Sequence, residues 1–138
     1  MNSDQITVFE LLAHHEIQYF QDFIRKHWGK NHIFAQEASV FDWQHKGLDT
    51  YHCMVTKQNG NMIGVHGIIP LNHFDKNLTN NHIFIALWRI IDGKGIGIGL
   101  RMYKEILAEY KPEFIAGLGI NSRSLTFYKW QGFKPRRG

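Results

Sequence analysis

The chain has 138 residues, a formal net charge of +4, 43% hydrophobic residues and a single cysteine. These values exclude a disordered chain, two full domains and an internal disulfide, and the lone Cys53 fits a reducing compartment. The start of the chain lacks the features of a signal peptide and no apolar run reaches the roughly 18 residues of a membrane span, so we expect a cytoplasmic protein without a membrane partner.

The first half of the chain predicts a strand, two helices and a β-hairpin. The spacing of apolar side chains predicts strands over residues 6–12, 51–57 and 62–69 and helices over residues 14–28 and 37–43. Gly29 is suited to end the first helix, and Asn59-Gly60 is a dipeptide favoured in two-residue hairpin turns. Pro70 stops the returning strand, because proline cannot donate to a strand ladder.

The second half predicts a parallel strand–helix–strand unit. Its segments are a strand over 82–88, a glycine-rich stretch over 92–99, a helix over 99–110, a strand over 114–120 and a helix over 121–132. Two strands joined by a crossover helix within one sheet run in parallel. With four antiparallel strands before the glycines, the sequence predicts an α/β fold of the α+β type, with a mixed and mostly antiparallel sheet.

Four glycines occupy alternate positions before the second-half helix: Gly93, Gly95, Gly97 and Gly99. Glycine has no Cβ, so main-chain N–H groups can approach a ligand closely, and a helix N-terminus adds unpaired donors and partial positive charge. Together with Lys94, these groups predict a cradle for a pyrophosphate. The alternative is a tight strand-to-helix turn, since the stretch is neither a P-loop nor a full dinucleotide fingerprint.

A second motif follows the strand over 114–120 and has the form N-x-x-S-x-x-x-Y-x-x-x-G-F. Asn121 is suited to cap the helix that it begins. Ser124 and Tyr128 are four residues apart and therefore share one helix face. Gly132 is suited to end the helix. The motif strengthens the interpretation of the glycines as a ligand-binding stretch.

The two motifs together resemble those of the GCN5-related N-acetyltransferase superfamily, and the order of elements agrees over nearly the whole chain. In that family a Gln/Arg-x-x-Gly-x-Gly/Ala loop binds the pyrophosphate and pantetheine of acetyl-CoA. Here the loop corresponds to residues 92–97, and Asp92 departs from the usual Gln or Arg. The Asn and Tyr of the family's second motif correspond to Asn121 and Tyr128. The resemblance implies a single acetyltransferase domain over residues 1–138.

The end of the chain departs from the family. Relatives continue after Gly-Phe with two further strands, whereas this sequence stops at Arg137-Gly138. The resemblance therefore implies a domain that is truncated at its C-terminal end. Without those strands the strand over 114–120 has an open edge, which invites pairing with another chain. We expect a homodimer or a missing C-terminal segment.

The resemblance also implies direct transfer of an acetyl group from acetyl-CoA to an amine within a ternary complex, without a metal. Main-chain groups at the end of the strand over 82–88 polarise the thioester carbonyl, and Tyr128 protonates the leaving thiolate. The cofactor-binding residues so implied are Leu87, Trp88, Arg89, Ile90, Gly93, Lys94, Gly95, Ile96, Gly97, Ile98, Gly99, Asn121, Ser124 and Tyr128.

The general base is left open, because the strand over 83–88 lacks the glutamate that many relatives use. His66 and His82 are the catalytic candidates, since a histidine has an ordinary pKa of about 6.5. His73 and Asp75 also fall near the expected cleft, and a chain of water molecules is a further alternative.

The acceptor is expected to be the primary amine of a small molecule. Residues 27–33 and 41–44 are similar to acetyltransferases of bacterial surface-polysaccharide pathways, where the acceptor is an amino sugar. Alternatives are an acyltransferase for a longer acyl-CoA or a protein lysine, a non-catalytic CoA-binding or interaction domain of the same fold, and a nucleic-acid binder. The basic tail over 134–137 lacks an accompanying aromatic ladder, so we expect no nucleic-acid partner.

Overall fold

Five strands form one mixed sheet in the computed structural model, which describes residues 6–91, 93, 95–117, 129–130 and 132–134. The strands are β1 (Thr7–Ala13), β2 (Thr50–Gln58), β3 (Asn61–Pro70), β4 (His82–Ile90) and β5 (Phe114–Gly117). The helices are α1 (Ile17–His27), α2 (Ile33–Gln36), α3 (Ala38–His45) and α4 (Gly95–Tyr110), with 3-10 turns at His14–Glu16 and Leu71–His73. The strand order is β1-β2-β3-β4-β5, antiparallel from β1 to β4 and parallel between β4 and β5.

The predicted fold class is confirmed: the sheet is mixed and mostly antiparallel, and β4, α4 and β5 form the parallel unit. α2 had no counterpart in the prediction, because four residues are too few to show a helical period. The predicted start of the second-half helix at Gly99 is wrong, since α4 begins at Gly95. The second and third glycines of the alternating stretch therefore belong to the helix rather than to an open loop.

One face of the sheet is covered by α1, α2 and α3. α1 presents Phe20, Phe23 and Ile24 at helical spacing, and all three side chains are buried in a cluster that includes Val55 of β2 and Val65 of β3. These apolar side chains of α1 face the sheet because their burial removes a large apolar area from water. α1 thus fixes the position of the chain segment that follows its C-terminal end.

The opposite face of the sheet is covered by α4. Ile106 packs with Ile68 and Ile83, and Tyr103 packs with Ile85, so that α4 lies across the centre of the sheet. The first half of β4 is therefore held from this side by the helix that follows it in the chain. The N-terminus of α4 comes directly after the C-terminal end of β4, and this junction is the feature on which the candidate site is built.

The described residues include no helix with both the length and the apolar character needed to span a membrane. Within the same ranges, no group of three or more histidine, cysteine or acidic side chains is arranged to hold a metal ion.

The end of the predicted parallel unit lies outside the described residues. The strand predicted over 114–120 is described up to Gly117, where β5 pairs with Ile85 of β4. The truncated domain, the open strand edge and the homodimer that it predicts all depend on residues beyond this point, and they stay predictions.

Candidate functional site

β4 carries a bulge at its middle. Its ladder with β3 pairs Leu87 with Gly67 but Ile85 with Ile68, so Ala86 is one residue in excess of the partner strand. A bulge bends the strand and redirects its main-chain groups, and bulges are common beside active sites. The parallel pairing with β5 is described up to Ile85, the residue before the bulge. The change in register therefore marks a place on β4 where main-chain donors can be aimed at a ligand.

The N-terminus of α4 is the second part of the site. α4 has 16 residues and starts five positions after the last residue of β4. The first N–H groups of a helix lack intrahelical partners, and the aligned peptide dipoles add partial positive charge there. Gly97 lies in this first turn, is exposed, and has no heavy atom of the described residues within 4 Å of the place where a Cβ would stand. Gly93 precedes the helix with φ at +87° and equally open surroundings.

Gly99 serves a different purpose from Gly97. It is buried, and a Cβ at this position would stand 2.9 Å from Cζ2 of Trp88 and 3.2 Å from Cδ1 of Ile90. Gly64 of β3 is similar, with Sδ of Met102 at 3.1 Å from the corresponding point. The two glycines allow α4 to approach the sheet closely. Gly99 was predicted to bind the cofactor, but its described contacts are with the sheet.

Gly99→Ala and Gly97→Ala are expected to change stability in opposite directions. The added methyl group at position 99 displaces the rigid indole of Trp88, which is expected to lower the free energy of unfolding by about 1–3 kcal/mol. At position 97 the methyl group meets open space, and the loss of a glycine from the helix is expected to raise it by about 0.5–1 kcal/mol. Urea unfolding of both variants measures the difference, and equal stabilities would contradict the assigned packing.

The connection between α1 and α2 forms a wall beside the end of β4. The main-chain N–H groups of Trp28 and Gly29 both donate to the Ile24 carbonyl oxygen, at 2.8 and 2.9 Å, and Gly29 has φ at +147°. The helix therefore ends where the sequence predicted. Nε of Arg89 on β4 donates to the carbonyl oxygen of His27 at 3.1 Å. This bond ties the connection to β4 and leaves Trp28, 43% exposed, beside the candidate site.

Comparisons with known proteins give no match by sequence and clear matches by structure. No protein-family model matches the chain, and no curated protein matches it. The aminoglycoside N-acetyltransferase AAC(6')-Iy, in complex with CoA, aligns with a TM-score of 0.74 at 8% identity, over 100% of this chain and 94% of that chain. The ribosomal-protein-alanine N-acetyltransferase of Brucella melitensis biovar Abortus 2308 aligns with a TM-score of 0.68 at 12% identity, over 96% of each chain.

A third structure agrees with these two. An aminoglycoside acetyltransferase from an uncultured soil metagenomic sample, in complex with sisomicin, aligns with a TM-score of 0.68 at 13% identity, over 96% of this chain and 91% of that chain. The protein has the GCN5-related N-acetyltransferase fold. The resemblance that the two sequence motifs suggested is thus confirmed at the level of the fold.

Four residues of β4 were predicted to contact the cofactor, and in this GCN5-related N-acetyltransferase fold their side chains are already engaged. Leu87 lies in the cluster under α1, and Trp88 stacks on His66 beneath α4. Arg89 bonds to the α1 connection, and Ile90 lies beside Gly64 and Gly99. What this part of β4 can offer to a ligand is therefore its main-chain N–H and C=O groups, and the cofactor contacts of these four residues stay predictions.

His66, a predicted catalytic base, lies in the core. Its side chain is fully buried and stacks on Trp88, with the ring centroids 4.7 Å apart and the planes inclined by 8°. Neither ring nitrogen has a hydrogen-bond partner among the described residues. Burial lowers the pKa of His66 to about 3. A ring that is enclosed and neutral in this way is poorly placed to take a proton from an amine that arrives from solvent.

His82 lies away from the bulge, whereas His73 and Asp75 lie in the segment that follows β3. His82 begins β4, half-buried against Phe114, and four residues of strand place it about 13 Å before Ala86. Nε2 of His73 is 2.9 Å from the carbonyl oxygen of Trp43, and the carboxylate of Asp75 accepts from the N–H of Asn77. These contacts neither establish nor remove a catalytic role for His82, which stays a prediction.

Several predicted site residues lie outside the described part of the structure. These are Asp92, Lys94, Asn121, Ser124 and Tyr128, so the pyrophosphate contact of the lysine and the proposed acid remain sequence predictions. Ile96 and Gly95 belong to the first turn of α4, and Ile98 is half-buried in the same helix.

Two features of the surroundings were not predicted from the sequence. His45 is fully buried and bonds to the strand next to the bulge. Trp43 and Phe74, 67% and 54% exposed, are in ring contact with centroids 4.9 Å apart. The aromatic pair joins α3 to the loop after β3, and its two members are too distant in sequence for any local pattern to connect them.

Proposed function

We propose that the protein is an acetyl-CoA-dependent N-acetyltransferase that acetylates the primary amine of a small molecule, an amino sugar. The observation that supports it most directly is the junction of β4 and α4. A bulged strand, the source of redirected main-chain donors, is followed at once by a helix N-terminus whose exposed Gly97 leaves room for a phosphate. Acetyl-CoA carries a pyrophosphate and, at its other end, a thioester, and such a junction can bind both.

The neighbours support the same chemistry. AAC(6')-Iy has been solved with CoA and with the bisubstrate analogue CoA-S-monomethyl-acetylneamine, and the soil enzyme with sisomicin. Aminoglycosides carry amines on sugar rings. The exposed pair of Trp43 and Phe74 supports an acceptor with an apolar ring face, because exposed apolar patches often mark binding surfaces. Other neighbours, such as Arabidopsis thaliana Naa50 with a peptide-based bisubstrate analogue, support the alternative of a protein amine.

In the proposed reaction, different residues of the chain have different roles. Acetyl-CoA supplies the acetyl group as a thioester. Main-chain N–H groups of β4 around Leu87 donate to the carbonyl oxygen, which stabilises the charge that develops on it when the amine nitrogen attacks the carbonyl carbon. The carbon–sulfur bond then breaks, and the phenol of Tyr128 delivers its proton to the sulfur. The nitrogen loses one proton to solvent water, because His66 is enclosed, and the phenolate of Tyr128 regains a proton from solvent. A role for His82 as the base stays a prediction.

Tyr128→Phe is expected to lower kcat about 100-fold or more while the Kd for CoA changes less than about threefold. The phenyl ring keeps the shape of the side chain and removes the proton that the leaving thiolate needs. Release of CoA thiol from acetyl-CoA measures kcat, with glucosamine, kanamycin and a lysine peptide as acceptors. Calorimetric titration with CoA measures the affinity separately.

The controls separate the acetyltransferase from its alternatives. Tyr19→Phe removes a phenol that is 66% exposed on α1 and is expected to leave kcat unchanged. If the lysine peptide were the only acceptor that is acetylated, the proposed acceptor would be a protein amine and not an amino sugar. Binding of CoA without turnover of any acceptor would identify a non-catalytic CoA-binding domain, and no binding by the folded protein would reject the proposed cofactor.

A further inference from the structure

His45 lies where two neighbouring strands separate. The ladder between β2 and β3 starts at the pair of Cys53 and Gly67, although β2 itself begins at Thr50 and β3 continues to Pro70. The last residue of α3, His45, is fully buried beside this separation. The side chain of His45 therefore lies where β2 and β3 are no longer paired in the described ladder.

The hydrogen bonds of His45 define its tautomer. Nε2 of the ring is 3.1 Å from Nε2 of Gln44, an amide nitrogen that can only donate, so this ring nitrogen is the acceptor. The proton of the neutral ring is then on Nδ1, which donates to the carbonyl oxygen of Ile68 at 3.0 Å. Burial favours the neutral ring and lowers the pKa of His45 to about 4, against the opposing effect of the Ile68 bond. His45 is thus a neutral donor with both nitrogens in use.

The carbonyl that His45 holds belongs to the residue at which the register changes. Ile68 is the β3 residue at which the pairing with β4 shifts, and the shift leaves Ala86 in excess. The ring also occupies the space beside the neighbouring residue: a Cβ on Gly67 would stand 3.1 Å from Cε1 of His45 and 2.8 Å from Cδ2 of Leu87. One imidazole therefore bonds to β3 at the register change and lies close to Gly67, whose partner on β4 is Leu87.

We propose that His45 is a positioning residue for acetyl transfer: its bond from Nδ1 to Ile68 holds β3 so that the bulge at Ala86 keeps the N–H groups of β4 aimed at the thioester carbonyl. The inference rests on the proposed acetyltransferase activity. His45 itself touches neither substrate. Its effect passes through Ile68 and the bulge, so it acts on the transition state and leaves the binding of CoA at α4 nearly unchanged.

Two replacements of His45 separate the hydrogen bond from the volume of the ring. His45→Asn keeps an amide donor near the place of Nδ1, whereas His45→Leu fills space without a donor. We expect His45→Leu to lower kcat about 10- to 100-fold and His45→Asn less than about fivefold, while KM for acetyl-CoA stays within about threefold in both. Equal loss in both variants, or an unchanged kcat in His45→Leu, would overturn the proposal.

Gly67→Ala provides an independent test should His45→Leu fail to fold. The added methyl group presses on the His45 ring and on Leu87, and a lowered kcat with unchanged KM is expected again. Amide NMR signals of Ala86 and Leu87 give a readout that does not need activity. Should the wild-type protein show no turnover, the proposed function fails. Unchanged Ala86 and Leu87 signals in His45→Leu would then reject the positioning of the bulge as well, whereas shifted signals would support it.

Discussion

Gly97→Glu is expected to weaken the binding of CoA at least 100-fold, about 3 kcal/mol, while the protein remains folded. Within the part of the chain that the structure describes, no heavy atom lies within 4 Å of a Cβ at this position, so the new side chain extends outward from the first turn of α4. There the carboxylate repels a pyrophosphate and occupies the space that glycine leaves open. The same carboxylate interacts favourably with the helix dipole, by about 0.3–1 kcal/mol, so the free energy of unfolding should not fall. Calorimetric titration with CoA and urea unfolding measure the two quantities.

Two control variants separate the charge from the size and from the position of the change. Gly97→Gln places a side chain of the same length without the charge and is expected to weaken binding by about 10-fold, since it blocks the helix N-terminus without repelling the phosphates. Ala108→Glu adds the same charge to an exposed position near the other end of α4 and should leave the affinity unchanged. An affinity of Gly97→Glu within about threefold of the wild type would remove the N-terminus of α4 from the cofactor site.

The sheet was predictable because its signals are local. The turn between β2 and β3 has Asn59 at φ of +51° and Gly60 at +84°, the positive values for which Asn-Gly is favoured. The bulge in β4 was not predictable. Ile85, Ala86 and Leu87 form a continuous apolar run, and nothing within one strand shows how its register changes against the next. That information exists only in the pairing.

The glycines show how far a pattern can be interpreted. The sequence assigned one purpose to all of them, but the structure places Gly97 in the open and Gly99 against the sheet. A signal for this difference was present: Gly99 is three, four and seven residues before Met102, Tyr103 and Ile106, and therefore lies on the buried face of α4.

The histidines were the least predictable part of the site. His66 belongs to a strand whose two faces are both covered, so its alternation with apolar neighbours did not show whether solvent reaches it. His45 ends a short helix, and its partner Ile68 is 23 residues further along the chain. Tertiary packing decided that the ring of His66 is enclosed, that His45 donates to a main-chain carbonyl, and that His82 is remote from the bulge.

The enclosed ring of His66 is expected to make the protein labile in acid. Burial lowers the pKa of His66 to about 3, below its ordinary value of about 6.5. The unfolded chain therefore binds one more proton than the folded protein between these values. The stability associated with the neutral ring is complete above about pH 6.5 and is lost as the pH falls towards about 3. Each pH unit corresponds to about 1.4 kcal/mol, so protonation of His66 in the unfolded chain lowers the free energy of unfolding by about 2 kcal/mol at pH 5 and about 3 kcal/mol at pH 4.

His45 acts in the same direction, since burial lowers the pKa of its ring to about 4. Together the two histidines lower the free energy of unfolding by about 4 kcal/mol at pH 5. This is a large part of the roughly 5–15 kcal/mol that is typical of the unfolding free energy of a domain. We therefore expect the protein to unfold at about pH 4–5, at an acidity that proteins without such groups withstand. Urea unfolding at pH 7, 6 and 5 measures the slope directly.

His66→Phe isolates the contribution of this residue. The phenyl ring can stack on Trp88 as the imidazole does, and it removes two buried nitrogens without described partners together with the titrating group. We expect the loss of unfolding free energy between pH 7 and pH 5 to be smaller by about 2 kcal/mol than in the wild type. His66→Leu repeats the test with a smaller side chain, and His15→Gln, at an exposed histidine, is the control. If either folded His66 variant keeps the wild-type pH dependence, proton uptake by His66 is not the cause of acid unfolding, and the enclosed position of its ring would have to be revised.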